Sequence, residues 1–268
     1  GVKEGKIELI AECEGILKVN VEGLRAINRF GQMMIASRHG NFAVKKGDKL
    51  AGTRIIPLVI EKKRMEAARK MALKATGGRA ILELKPFVHK KVGIVTTGNE
   101  VYYGRIEDTF TPVIEAKLKE FDVEILEHVI WNDDDKKVTE SILEMIEKGA
   151  DVVICTGGMS VDPDDKTPLA IKNTKARIVS YGAPVLPGAM FLLAYYEVQA
   201  ANNVRTVAIM GLPGCVMYAK RTVFDLILPR VMAEDEVTAE ELAGLGEGGL
   251  CLNCAECTFP NCGFGKGV

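Results

Sequence analysis

No apolar run in the chain approaches the ~18 to 20 residues that a membrane-spanning helix needs, and its first residues do not read as a secretory signal. Aromatic side chains are few, at 6% of 268 residues, and there is a single tryptophan. An excess of one charge is also missing, since 35 basic and 36 acidic side chains leave a net charge of −1. That removes the electrostatic footprint of a nucleic-acid-binding protein. The short basic cluster Lys62-Lys-Arg64, preceded by Glu61, reads as a solvated helix face. The three histidines, His39, His89 and His128, are dispersed, with mostly nonligand neighbours, and read as structural or surface residues. The expectation is a cytoplasmic protein with neither membrane nor nucleic acid as partner. The chain opens on Gly1 without a methionine, so native sequence is expected upstream.

What is present is glycine at strand ends. Val92-Gly-Ile-Val-Thr-Thr-Gly-Asn-Glu100 and Asp151-Val-Val-Ile-Cys-Thr-Gly-Gly-Met-Ser160 each run a short buried strand into a turn whose backbone can approach an anion, and Gly211-Leu-Pro-Gly214 is a third such turn. Exposed N–H groups at these places have no helical partners and favour negative charge. From Val92 onward strands and helices alternate, which predicts a mainly parallel sheet covered on both faces, with ligands beyond the carboxyl ends of the strands. The preceding stretch, with short strands, a helix over 21–30 and a second helix from Glu61 to Lys74, predicts a small α+β domain. The boundaries are 1–88 for that domain and 89–232 for the α/β domain. Residues 233–268 carry an acidic helix opened by the capping box Thr238-Ala-Glu-Glu241, a glycine-rich linker and a cysteine-rich tail. A helix over Val216, Val223, Phe224 and Ile227 is expected after the third turn.

Carboxylates accompany the turns. Asp133, Asp134 and Asp135 precede a helix, where one serves as N-cap and the others complement the helix N-terminus. Asp162, Asp164 and Asp165 follow the glycine pair, and three carboxylates so close together would be relieved by a hard cation, magnesium with a nucleotide being the natural candidate.

Taken in order, Thr96-Thr-Gly-Asn-Glu100, Ile106-Glu-Asp108, Thr156-Gly-Gly-Met-Ser160 with Asp165, and Leu212-Pro-Gly214 resemble the molybdopterin-binding domain shared by molybdopterin adenylyltransferases and molybdotransferases. The stretch Lys45 to Ile60 is similar to the smaller domain of molybdotransferase-like proteins. The resemblance implies a three-layer α/β/α fold and a transferase of molybdenum cofactor assembly. Such a protein binds molybdopterin or its adenylate and uses Mg²⁺ and ATP/AMP in adenylylation or molybdate insertion. It implies Asp165, Asp133 and Asp134 as catalytic. The implied ligand-binding residues are Thr97, Gly98, Glu100, Thr156, Gly157, Gly158, Ser160, Pro187, Gly188, Pro213 and Gly214. It further implies a homo-oligomer, with molybdoenzymes as recipients. Met159 and Asp162 depart from the family pattern after the glycine pair, Cys215 stands where asparagine is common, and Asp108-Thr-Phe110 replaces a commoner Asp-Ser-Asn. Two alternatives remain open: a non-catalytic carrier or sensor of the cofactor, and a nucleotide hydrolase of the competence-damage-inducible type.

Cysteine falls in two groups. Cys13, Cys155 and Cys215 read as buried thiols. Cys251, Cys254, Cys257 and Cys262 form a run expected to bind metal. The run resembles the [4Fe–4S] ligand spacing of bacterial ferredoxins, with one extra residue before the last cysteine and Gly263 where proline is usual, and Zn²⁺ is the alternative.

Overall fold

The computed structural model describes residues 2–3, 5–160, 165–199 and 204–267. The chain divides into two compact units, Gly1–Phe87 with Ala233–Asp235, and Val88–Met232 with Glu236–Val268.

The first unit contains β1 (Val2–Lys3), β2 (Lys6–Ile10), β3 (Gly15–Val19), α1 (Val21–Phe30), β4 (Met33–Ser37), β5 (Phe42–Val44), β6 (Lys49–Ile55), α2 (Lys62–Thr76) and β7 (Leu82–Pro86). Two antiparallel sheets result, in the orders β1-β2-β6-β4 and β5-β3-β7. Asn20 starts α1 by accepting the Gly23 amide at 2.9 Å. Strand β6 stops at Ile55, because Pro57 has no N–H for a ladder; Leu58 beyond it is fully exposed.

The second unit contains β8 (Lys90–Thr97), α3 (Asn99–Tyr102), α4 (Phe110–Leu118), β9 (Val123–Trp131), α5 (Asp135–Glu147), β10 (Val152–Thr156), α6 (Thr167–Asn173), β11 (Arg177–Tyr181), β12 (Leu192–Gln199), β13 (Val204–Leu212), a 3₁₀ turn at Gly214–Met217, α7 (Val223–Met232) and α8 (Ala239–Gly244). The six-stranded sheet has the order β11-β12-β13-β10-β8-β9. Its four central-to-edge strands β13, β10, β8 and β9 are parallel, while β12 is antiparallel to both neighbours. Every residue of β10 is buried, as expected of a parallel strand covered on both faces. On one face Val138, Ile142 and Met145 of α5 and Ile171 of α6 pack with Val153 and Ile209. The alternation of the strands turns Ile94 and Ile154 to the opposite face, and Ile114 of α4 and Phe224 of α7 are buried as well. The architecture is a three-layer α/β/α domain and a smaller N-terminal unit.

The helix expected from Val216 breaks in two. Thr222 Oγ1 accepts the Phe224 amide at 3.2 Å and Asp225 accepts the Thr222 amide at 2.8 Å, so α7 has its own start and Val216 falls in the 3₁₀ turn. In α8 the capping box is complete, with Thr238 and Glu241 exchanging side-chain-to-backbone bonds. Thr238→Ala is expected to lower the unfolding free energy of the second unit by about 1 kcal/mol, measured by urea titration. No helix of the described residues is long and apolar enough to cross a membrane.

Candidate functional site

Parallel register brings the strand ends to one edge of the sheet. Thr97 of β8 pairs with Trp131 of β9, and Thr156 of β10 pairs with Thr96 and with Leu212 of β13. The turns that follow, at Gly98, Gly157–Gly158 and Pro213–Gly214, therefore share that edge. Strand β12 begins opposite the end of β13, at Leu192 against Gly211, which puts the Pro187–Gly188 turn ahead of it at the same edge. Gly188 is buried against α7, where a Cβ would meet Val223 at 2.5 Å.

The glycine pair is the tightest of these turns. Gly157 and Gly158 have φ of +80° and +51°. A Cβ on Gly157 would lie 2.0 Å from the Thr97 carbonyl oxygen, so the second turn closes directly onto the first. The buried Thr97 hydroxyl donates to Thr156 O at 3.2 Å and stands 3.0 Å from Thr167 Oγ1, which donates to Gly157 O at 2.8 Å. Among the described residues the N–H groups of Gly157, Gly158 and Met159 donate to no protein acceptor. Consecutive free amides in a turn of this handedness form a concave anion site. Met159, which departs from the family pattern, is buried and lays its thioether over Gly211, where a Cβ would be 2.7 Å from the sulfur.

The three carboxylates expected as catalytic are each engaged. Asp134 is the N-cap of α5 and accepts the Lys136 and Lys137 amides at 3.0 and 3.2 Å. Asp133 accepts the Asn99 amide at 3.3 Å, which ties the start of α5 to the first turn. Asp165 accepts both the amide and the hydroxyl of Ser160, at 2.6 and 2.5 Å. Tyr181 donates to Ser160 O at 3.3 Å; burial pushes its phenol pKa up, and the charge of Asp165 adds to that. The expectations for Asp162 and Asp164 lie outside the described residues. Glu100 is exposed on α3, beyond the amides of the turn.

A polar network behind the edge was not legible in the sequence. Asp108 Oδ1 accepts the Phe110 and Thr111 amides at 2.9 and 3.0 Å, starting α4, and its Oδ2 accepts the Thr111 hydroxyl at 2.5 Å. Thr96 Oγ1 bonds the same carboxylate, lies 3.0 Å from His128 Nε2 and accepts the Thr156 hydroxyl at 3.2 Å. Burial raises the Asp108 pKa, but the hydrogen bonds from Thr111 and Phe110 and the nearby His128 outweigh it and hold the carboxyl below its ordinary 3.8. A depressed folded pKa means that the stability Asp108 contributes is present above pH 3.8 and is lost as pH falls through the lower folded value. Asp108→Asn is expected to flatten the acid limb of a stability–pH curve in that window; an unchanged limb would remove the assignment.

A family model described as "Probable molybdopterin binding domain" matches residues 93–233. The chain belongs to this family. A CinA-like protein of Mycobacterium tuberculosis is 35% identical over 80 residues, and one of Syntrophus aciditrophicus is 40% identical over 83. Each alignment covers 30% of this chain, which spans 19% of the length of either curated relative. Among solved structures, the tungsten cofactor synthesizing protein MoaB of Pyrococcus furiosus is similar over 55% of this chain and 89% of its own, at 23% identity and a TM-score of 0.40. CinA of Thermoplasma acidophilum is similar over 53% and 98%, at 14% identity and a TM-score of 0.40.

The matched residues include the turns at Gly98, Gly157–Gly158, Pro187–Gly188 and Pro213–Gly214, while the cysteine tail lies beyond them. There the structure corrects the sequence. Cys251, Cys254, Cys257 and Cys262 were expected to hold a [4Fe–4S] cluster or Zn²⁺, yet among the described residues no group of three or more His, Cys, Asp or Glu side chains converges to hold a metal ion. The carboxylates behind the Mg²⁺ expectation include Asp162 and Asp164, which lie outside the described residues, and the described ones form no such group. All four tail cysteines are free thiols in irregular chain, Cys251 and Cys262 half-buried and Cys254 and Cys257 exposed. Spacing brings cysteines near one another in sequence, but a coordination shell also needs the backbone to turn their sulfurs to one point. Here the backbone serves other contacts: Leu186 donates to Gly249 O and accepts from the Cys251 amide, both at 2.8 Å, and Lys220 Nζ bonds Cys254 O and Ala255 O. Of the remaining cysteines, Cys155 is buried, which pushes its thiol up to about 12, and Cys13 and Cys215 are half-buried.

Proposed function

We propose that this chain binds the phosphate end of a molybdopterin-type ligand at the Gly157–Gly158 turn and holds it without transferring a nucleotide to it. One observation supports this most: the amides of Gly157, Gly158 and Met159 are free among the described residues and gathered in a turn of positive φ, next to the Thr97–Gly98 turn. Charge-assisted bonds to a phosphate are about twice as strong as neutral ones, so an anion fits these donors. Thr97, Thr156 and Gly98 shape the cradle from beneath, and Gly188 and Gly214 border it on the side of β12 and β13. Asp133, Asp134 and Asp165 act as positioning residues, holding the turns by accepting backbone amides. That use of the carboxylates favours a carrier over a transferase.

The similarity to CinA-like proteins favours a second reading, hydrolysis of a nucleotide bound at the same amides. Incubating the protein with molybdopterin, and separately with nucleotides, while following pterin retention and phosphate release, tests both. Pterin retention with nucleotides left intact supports the carrier; phosphate release without pterin retention supports the hydrolase. Neither retention nor release would contradict both.

A further inference from the structure

We infer that the cysteine tail is a thiol–disulfide exchange site, in which Cys257 attacks a low-molecular-weight disulfide and Cys254 completes the exchange. The four tail cysteines line one cavity of about 240 Å³ together with Arg221, Leu250, Phe259 and others. Its lining is mainly apolar, so a small organic disulfide finds a surface there. Cys254 and Cys257 are the exposed pair, three residues apart. Arg221 lines the same cavity as Cys257. Its guanidinium lies 4.8 Å over the ring of Phe259, two residues on from Cys257, and is anchored by Asp225 at 2.9 Å. A positive charge therefore stands in the cavity where the attacking sulfur becomes anionic. The buried Cys155 has neither access nor such a neighbour, and burial holds its thiol in the neutral form.

The chemistry balances without a metal. The Cys257 thiolate attacks one sulfur of the small disulfide, whose S–S bond breaks as the mixed disulfide forms, and the first small thiolate leaves and takes up a proton. The Cys254 thiolate then attacks the Cys257 sulfur and expels the second small thiolate. Two protein thiols are oxidised by two electrons to one disulfide, and the small disulfide is reduced to two thiols.

The site is tied to the fold on both sides. Lys220 holds the carbonyls of Cys254 and Ala255, and the Leu186 bonds to Gly249 and Cys251 fasten the tail beside the Pro187–Gly188 turn. Oxidation that shortens the 254–257 segment is therefore expected to change amide exchange at Cys251 and Leu186 as well as mass.

The test is incubation of the full chain with oxidised glutathione, followed by intact mass and peptide mapping. The expected result is a loss of about 2 Da, the two thiol hydrogens, mapped to Cys254–Cys257. Cys254→Ser should instead retain one glutathione on Cys257. Cys257→Ser should react about tenfold more slowly or worse, having lost the attacking thiolate. No mass change in the wild type, adducts spread over Cys13 and Cys215 as readily as over the tail, or Cys257→Ser reacting at the wild-type rate would overturn the assignment.

Discussion

Gly157→Ala is expected to abolish measurable phosphate-ligand binding and to destabilise the second unit. The new methyl would sit 2.0 Å from the Thr97 carbonyl oxygen, and the backbone there has φ of +80°. A non-glycine residue held in such a conformation costs about 1–3 kcal/mol. The overlap with a backbone atom adds to this, because relief requires β8 and β10 to separate. Displacing the turn also misaligns its amides. Two charge-assisted hydrogen bonds contribute about 1.5–3 kcal/mol each, so a loss of at least a hundredfold in affinity follows, about 2.7 kcal/mol. Gly78→Ala separates strain from site. Gly78 also has positive φ, at +84°, but nothing lies within 4 Å of its Cβ position and it belongs to the other unit. That variant should lose a little stability and no affinity. Isothermal titration with a phosphate-bearing ligand beside urea unfolding of both variants makes the comparison; equal affinities for Gly157→Ala and wild type would remove the turn from the site.

Asp225→Ala, on the buried helix α7, is expected to produce a large stability loss in the second unit. The Asp225 side chain is only 4% exposed and accepts from Lys117 Nζ at 2.6 Å and from Arg221 at 2.9 Å. It also accepts the Thr222 amide at 2.8 Å. Removing it leaves two cations facing each other in a largely buried place, with the Thr222 amide just ahead of α7 unsatisfied. Breaking a buried pair from one side costs about 3–5 kcal/mol, which for a unit of this size lowers the melting temperature by roughly 10 °C. The pair itself is not the source of that stability; the uncompensated charge left behind is. Asp225→Ala with Lys117→Met should therefore recover part of the loss. Calorimetry on the single and double variants checks both statements, and a single-variant shift of under a degree or two would contradict the burial argument.

Sequence periodicity located α1 over 21–30 and the two buried strands that precede the glycine turns, because each is short, continuous in pattern and bounded by a cap or a glycine. It misplaced the start of α7, since Val216 fits an apolar helical stripe while the hydrogen bonds of Thr222 and Asp225 that start the helix are read only from geometry. At the site, the turn glycines were legible because positive φ and close approach demand that residue type. The Asp108–Thr96–His128 network was not. Its members are far apart in sequence and meet only through strand pairing. The cysteine run misled for the converse reason: its regular spacing carries no information on whether the sulfurs point to a common centre.

In the proposed site, free backbone amides of the Gly157–Gly158 turn receive the ligand's phosphate. Amide-resolved NMR of the ¹⁵N-labelled chain during titration with molybdopterin addresses it most directly. The predicted result is a set of saturating shifts led by Gly157, Gly158 and Met159, with smaller ones at Gly98 and Gly214. Saturating shifts confined to other surfaces, with the turn amides unmoved, would contradict it.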